Sequence, residues 1–152
     1  MERTDYIDLV EKRYFGRVSA GDVDGACACF TGDAEILILH GDHPPRRFYA
    51  QPPAGEQHLT AFWRHLCDHF TARFDRFEHV VDTEAARCAC TFTVTLTPKP
   101  DSPYVERGTL TLRNCNFFWL CDGKIARMVI YYANPDSGGD PIGRPTGYPP
   151  KT

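Results

Sequence analysis

Ile7, Val10, Tyr14 and Val18 recur at helical spacing near the start of the chain, so one member of an apolar stripe carries a hydroxyl. A buried phenol with no partner costs about 1–3 kcal/mol, so Tyr14 must bond to a neighbour or to a ligand. A second polar set lies far along the chain. By the period of two of a strand, Asn114 and Asn116 share one face with Leu110, Leu112 and Phe118. Two carboxamides among such neighbours need partners, which favours a polar patch in a cavity over a dry core. His40 follows Ile38 by two residues on an apolar strand and faces the same way. An imidazole with an unperturbed pKa of about 6.5 can move a proton at neutral pH. A phenol and a carboxamide can hold a carbonyl or hydroxyl oxygen. Together these groups suit acid–base chemistry on a small oxygenated molecule, with no cofactor.

Other constellations promise less. His58, His65 and His69 lie on one side of a helix, and the pair His65/His69 has chelate spacing. "HLCDH" lacks the glutamate of the zinc-protease motif and no third ligand is evident, so a solvated flank and no metal are expected. His79 and Asp82 are three apart on a strand, hence on opposite faces, and form no dyad by themselves. The seven cysteines are odd in number and include no C-x-x-C pair. "CAC" occurs twice at apolar positions, so free thiols acting as small hydrophobes are expected. No Gly-rich phosphate loop or nucleophile elbow is present.

The elements that must position these groups follow from periodicity. Helices are expected at about 4–19, from an Asp22 cap through Phe30, and at about 56–72, where Leu59, Phe62, Trp63, Leu66 and Phe70 form a stripe. "AEILILHG" reads as a first strand, and "DHPPRRFYAQPPAG" with four prolines as loop. The period then changes to two in "DRFEHVVDT", "ARCACTFTVTLTP", "YVERGTLTLRNCNFFWLC" and "KIARMVIYYA". "DG" at 122–123 is a two-residue hairpin signal. Helices gathered on one face of an antiparallel meander give an α+β domain over 1–135, followed by a Pro/Gly-rich tail at 136–152.

A chain of 152 residues with net charge −3 fits one domain with no footprint for nucleic acid. No apolar run approaches the roughly 20 residues of a membrane span, and "MERTDYIDLV" is not a targeting segment, so a cytoplasmic location is expected.

The order and spacing of "RYFGRVSAGDVDGACACFTGDAEI", "GEQHLTAFW" and "FFWLCDGKIARMVIYY" resemble the nuclear transport factor 2-like superfamily over about residues 4–134. This is the cone-shaped α+β fold of ketosteroid isomerase, scytalone dehydratase and small polyketide cyclases. The resemblance to ketosteroid isomerase implies that Tyr14 occupies the oxyanion-hole tyrosine position, Asn116 the second donor position and Tyr132 a pocket aromatic. Where that enzyme has its catalytic aspartate, this chain has Ile38, which cannot take a proton. His40 is then the candidate base. Ile38, Trp63, Phe92, Asn114, Phe118 and Tyr132 are the expected binding wall. Tyr14 either fills the core and ties its hydroxyl to Asn116, Asn114 or backbone, or shares one spot with Asn116 and polarises a ligand.

Three functions fit. The first is an isomerase-, cyclase- or dehydratase-type enzyme for an apolar carbonyl- or hydroxyl-bearing molecule. The second is a non-catalytic binder of such a molecule. The third is an association module working through the outer sheet face, where Arg87, Arg113 and the threonines 91, 93, 95, 109 and 111 lie. The resemblance implies a homodimer through that face.

Overall fold

The computed structural model describes residues 1–41 and 43–133; the tail read at 136–152 lies outside them. The first helical turn closes where Glu2 N–H donates to Asp5 Oδ2 at 2.7 Å. Helix α1 runs on in three contiguous stretches: Arg3–Ile7, a wider π-type stretch Asp8–Phe15, and Gly16–Ser19. The wider turn brings consecutive residues nearer to one face, so Leu9 with Val10 and Tyr14 with Phe15 are all buried. The stripe therefore starts at Tyr6, and Ile7 is only half-buried. Gly21 ends α1 in a left-handed conformation at φ +74°. Asp22 caps α2 (Val23–Cys27) by accepting from Gly25 N at 2.8 Å.

Seven strands follow: β1 (Phe30–Leu39), β2 (Arg46–Tyr49), β3 (Gln57–His58), β4 (Phe70–Asp82), β5 (Arg87–Pro98), β6 (Leu110–Cys121) and β7 (Lys124–Tyr132). They form one open sheet in the order β3-β2-β1-β7-β6-β5-β4. Register shifts at Phe30/Glu35, Asp75/Glu78 and Trp119/Leu120 bend it toward the helices. The architecture is α+β as expected, but the sheet is mixed. β1 pairs with β7 in parallel, a partner that the chain reaches only after a helix and five further strands. Helix α3 (Leu59–His69) buries Leu59, Phe62, Trp63 and Leu66 and is capped by His58 Nδ1, which accepts from Thr60 N at 3.1 Å.

Several boundaries differ from expectation. Helix α2 ends at Cys27, and Phe30, expected on its apolar face, opens β1 together with Thr31, Gly32 and Asp33. The proline-rich stretch is not all loop: Arg46–Tyr49 pairs with β1 and buries Phe48, while the prolines sit outside the ladder. Helix α3 stops before Phe70, which is already extended (φ −137°, ψ 153°), so the last residue of the apolar stripe opens β4 instead. A short 3₁₀ turn, Val105–Arg107, stands where the long strand was expected to begin. The hairpin at Asp122 and Gly123 is as read, with φ of 49° and 76°. None of the described helices is long and apolar enough to cross a membrane.

The outer sheet face is less polar than its threonines suggest. Leu37, Val129, Phe117, Ala89 and Val80 pair in register across five strands as one apolar row. Phe117 is 43% exposed, Tyr131 44% and Val80 72%. Beside the row, Trp119 lies between Arg87 and Arg127, whose guanidinium carbons stand 5.8 and 4.8 Å from its ring centre.

Candidate functional site

The inner face of β4–β7, α1 and α3 enclose a cavity. Tyr14, Phe15 and Val18 reach it from α1, and Phe62 and Leu66 from α3. The sheet contributes Phe74, Phe92, Val94, Asn114, Asn116, Ile130 and Tyr132. Its volume is about 30 Å³, room for about two water molecules. The cavity expected from the sequence is mostly filled. Phe15 lies 4.7 Å from both Phe74 and Phe92 and 5.3 Å from Phe77, centre to centre.

Tyr14 is buried and its oxygen accepts the indole N–H of Trp63 at 3.1 Å. The partner is thus neither asparagine nor backbone. α1 and α3 each place one aromatic stripe against the other, and the two polar atoms of those stripes meet. Because the phenol oxygen takes this proton, its own hydrogen stays available to donate. Burial drives the Tyr14 pKa well above the ordinary phenol value, and the Trp63 hydrogen bond offsets this only in part. The group is therefore a neutral donor throughout the physiological range.

Asn116 donates from Nδ2 to Met128 Sδ at 3.5 Å, and its Oδ1 is buried with no hydrogen-bond partner among the described residues. Asn114 Oδ1 is in the same state. The alternation of β6 puts both amides inward, so the structure gathers Tyr14, Asn114, Asn116, Phe92 and Tyr132 around one cavity.

Other expected site residues stand behind its wall. Trp63 and Phe118 pack on the Tyr14 ring at 6.1 and 6.2 Å and shape it indirectly. Ile38 is buried beside Ile130, its register partner. His40 is buried rather than at an open mouth, edge-on to the Tyr132 ring at 5.0 Å and 5.2 Å from His43. It touches a lining residue without being one; Asp42 lies outside the described residues. Sequence reasoning missed Phe15, Val18, Phe62, Leu66, Phe74, Val94 and Ile130 as lining residues. Five of them lie on apolar patterns already read, which do not separate cavity wall from core, whereas Phe15 and Phe74 fall outside those patterns.

A carboxylate–imidazole pair does exist, away from the cavity. Glu11 Oε2 lies 2.7 Å from His79 Nε2 and ties α1 to β4 across 68 residues, a partner no local spacing could reveal. His65 and His69 are not simply solvated, since their rings pack 5.9 and 5.6 Å from Tyr104. Among the described residues, no group of three or more His, Cys, Asp or Glu side chains could hold a metal ion. All seven cysteines are free, with Cys88 and Cys90 buried and Cys121 exposed.

The model of the SnoaL-like domain family matches residues 12–128. No curated protein sequence matches the chain. Solved structures do. A candidate polyketide cyclase from Xanthomonas campestris shares 20% identity at a TM-score of 0.65, covering 86% of this chain and 91% of that one. Another, from a Silicibacter species, shares 26% identity at a TM-score of 0.61, covering 82% and 86%. A candidate isomerase from Bacillus subtilis shares 12% identity at a TM-score of 0.68, covering 87% and 88%.

Proposed function

The chain belongs to the SnoaL-like domain family, and on that premise we propose that it is a cofactor-free small-molecule enzyme of the isomerase, cyclase or dehydratase type. Its substrate is an apolar molecule bearing a carbonyl or hydroxyl, held in the cone between sheet and helices. The observation that carries this reading is the state of Tyr14: buried, anchored through its oxygen by Trp63, and left with one hydrogen directed by no acceptor among the described residues. A donor fixed in a mostly apolar site stabilises negative charge as it develops on a substrate oxygen. Asn114 and Asn116 hold the polar end of the ligand, and Phe92 and Tyr132 its apolar body. His40, the candidate base, stands one ring behind the wall, edge-on to Tyr132. The outer face, with its apolar row, pairs with a second copy of the chain.

Tyr14→Phe and Asn116→Leu test the site. Turnover and affinity, measured on a hit from a panel of cyclic ketones and alcohols, should both fall, by roughly 100-fold in turnover for Tyr14→Phe. Unchanged values in both variants would remove these residues from the site.

A second reading has its own observation: among the described residues, no carboxylate or imidazole lines the cavity. On that reading the protein binds the same kind of molecule and releases it unaltered. Mass spectrometry of a bound hit after long incubation separates the two, since a catalyst returns a product and a carrier returns the input.

A further inference from the structure

We infer that a second pocket, between α1, α2 and the β6–β7 turn, binds a small phosphate monoester through Arg13, Arg17 and Lys124. It shares no lining residue with the cone, so neither site needs the other. Its volume is about 400 Å³, within the range of small-molecule sites. Arg13 and Arg17 are four residues apart on α1 and so lie on one side of it. Lys124 opens β7 directly after the Asp122–Gly123 turn. Three cations from two distant segments thus line one hollow, whose wall also includes the buried Leu9 with Ala28 and Cys29.

Charge decides what fits. Among the described residues, Arg13 and Lys124 form no ion pair. Arg17 is held by Asp22, Nη1 to Oδ2 at 3.1 Å, and Asp22 also accepts from Gly25 N at 2.8 Å. A Cβ on Gly25 would collide with Asp22 Oδ2 and Arg17 Cδ, so only glycine there lets the Arg17 head be fixed beside the pocket. The opposing carboxylates are Asp22, already engaged, and Asp122 in the wall, so the cations outnumber them. The three cations also act on one atom. Burial raises the Cys29 thiol pKa, Arg13, Arg17 and Lys124 each oppose that rise, and Asp22 adds to it. Their fields therefore overlap inside the pocket. Two unpaired positive charges call for two negative charges on one ligand head. A phosphate monoester carries them above its second pKa of about 6, and a carboxylate never does. Arginine forks match phosphate oxygens in pairs, and lysine meets them as a point charge. Leu9, Ala28 and Cys29 offer the organic part an apolar patch, which favours a monoester over inorganic phosphate.

The experiment uses the full chain and three probes: phenyl phosphate, inorganic phosphate and benzoate. Affinity is measured by titration calorimetry, and the site is located by amide shifts. Phenyl phosphate is expected to bind about tenfold more tightly than benzoate and several-fold more tightly than inorganic phosphate. Its shifts should fall on residues 9–17, 25–29 and 122–124. The cationic side chains are exposed, so affinity should drop several-fold between about 50 and about 300 mM salt. The double variant Arg13→Ala, Lys124→Ala should abolish binding while its melting temperature stays near wild type. Lys12→Ala removes a neighbouring cation outside the pocket and should leave binding unchanged. Equal loss in Lys12→Ala overturns the inference, because net charge alone would then account for binding. So does benzoate or inorganic phosphate binding as tightly as phenyl phosphate. Shifts centred on residues 114–116 overturn it as well, since they would put the ligand in the cone. No binding of phenyl phosphate up to about 10 mM also overturns it, and leaves the proposed function standing.

Discussion

Tyr14 and Trp63 form the polar contact on which the cone is built, and each would be orphaned by loss of the other. In Trp63→Phe the phenol oxygen loses its donor, and in Tyr14→Phe the indole N–H loses its acceptor. Each single change should destabilise by about 1–3 kcal/mol. The double variant should cost less than the sum, because neither polar group is then left buried alone. Chemical denaturation of the four proteins measures the coupling, and strict additivity would show that the 3.1 Å contact contributes nothing. A second residue-scale prediction concerns thiols. Burial pushes the Cys88 thiol from an ordinary value near 9 up to about 12, and it drives Cys90 upward as well. Below pH 9 these thiols are protonated in both states, and their contribution is fully present. As pH rises from about 9 toward about 12, the unfolded thiol ionises while the folded one keeps its proton, so stability falls. Melting curves under reductant at stepped pH should decline from pH 9 upward, and less steeply in Cys88→Ala.

At the scale of elements, two connections carry strain or tension that can be probed. The Asp122–Gly123 turn holds both residues at positive φ, and it sets the register of β6 against β7 on which Asn114 and Asn116 depend. Gly123→Val keeps open space around the new side chain but forces a branched residue into a left-handed conformation. It should cost about 1–3 kcal/mol, read as a lower denaturation midpoint. The Glu11–His79 pair ties α1 to β4, with neither residue lining the cavity. Glu11→Gln should loosen that end of α1, seen as faster amide exchange over residues 6–12 with little change elsewhere. The turn was plain in the sequence, because Asp-Gly between two alternating runs states its own geometry. The tie was not, because its members lie 68 residues apart and meet only when α1 packs beneath the edge of the sheet.

Across the whole molecule, the outer face of the sheet is the largest feature that the single chain leaves unexplained. Its apolar row runs through Leu37, Val129, Phe117, Ala89 and Val80, flanked by Tyr131 and Trp119. Val129 in this row is buried, so the exposed apolar members on which the proposed homodimer rests are Phe117, Tyr131 and Val80. The proposed homodimer predicts that Phe117→Glu lowers the mass measured by light scattering to that of one chain without lowering helix content. A wild-type protein already of single-chain mass would reject the dimer. The row follows from the same alternation that puts Asn114 and Asn116 inside: if those face inward, Cys115, Phe117 and Trp119 must face out. The threonines of β5 make the polar half of the face, and Phe117, Trp119 and Tyr131 make the aromatic half.

Periodicity and turn chemistry, which act within a few residues, were enough to give the α+β class, the helices, the meander and the inward set of Tyr14, Asn114 and Asn116. They could not give the parallel pairing of β1 with β7 or the short β2 inside the proline-rich stretch, because those ladders join distant segments. Nor could they give the state of the site. That Tyr14 meets Trp63, that Asn116 turns its NH₂ to Met128, that His40 sits behind Tyr132 and that Phe15 fills the cone are outcomes of packing. Side-chain hydrogen bonds and cavity volume depend on which atoms converge from separate elements. Only the tertiary fold decides that.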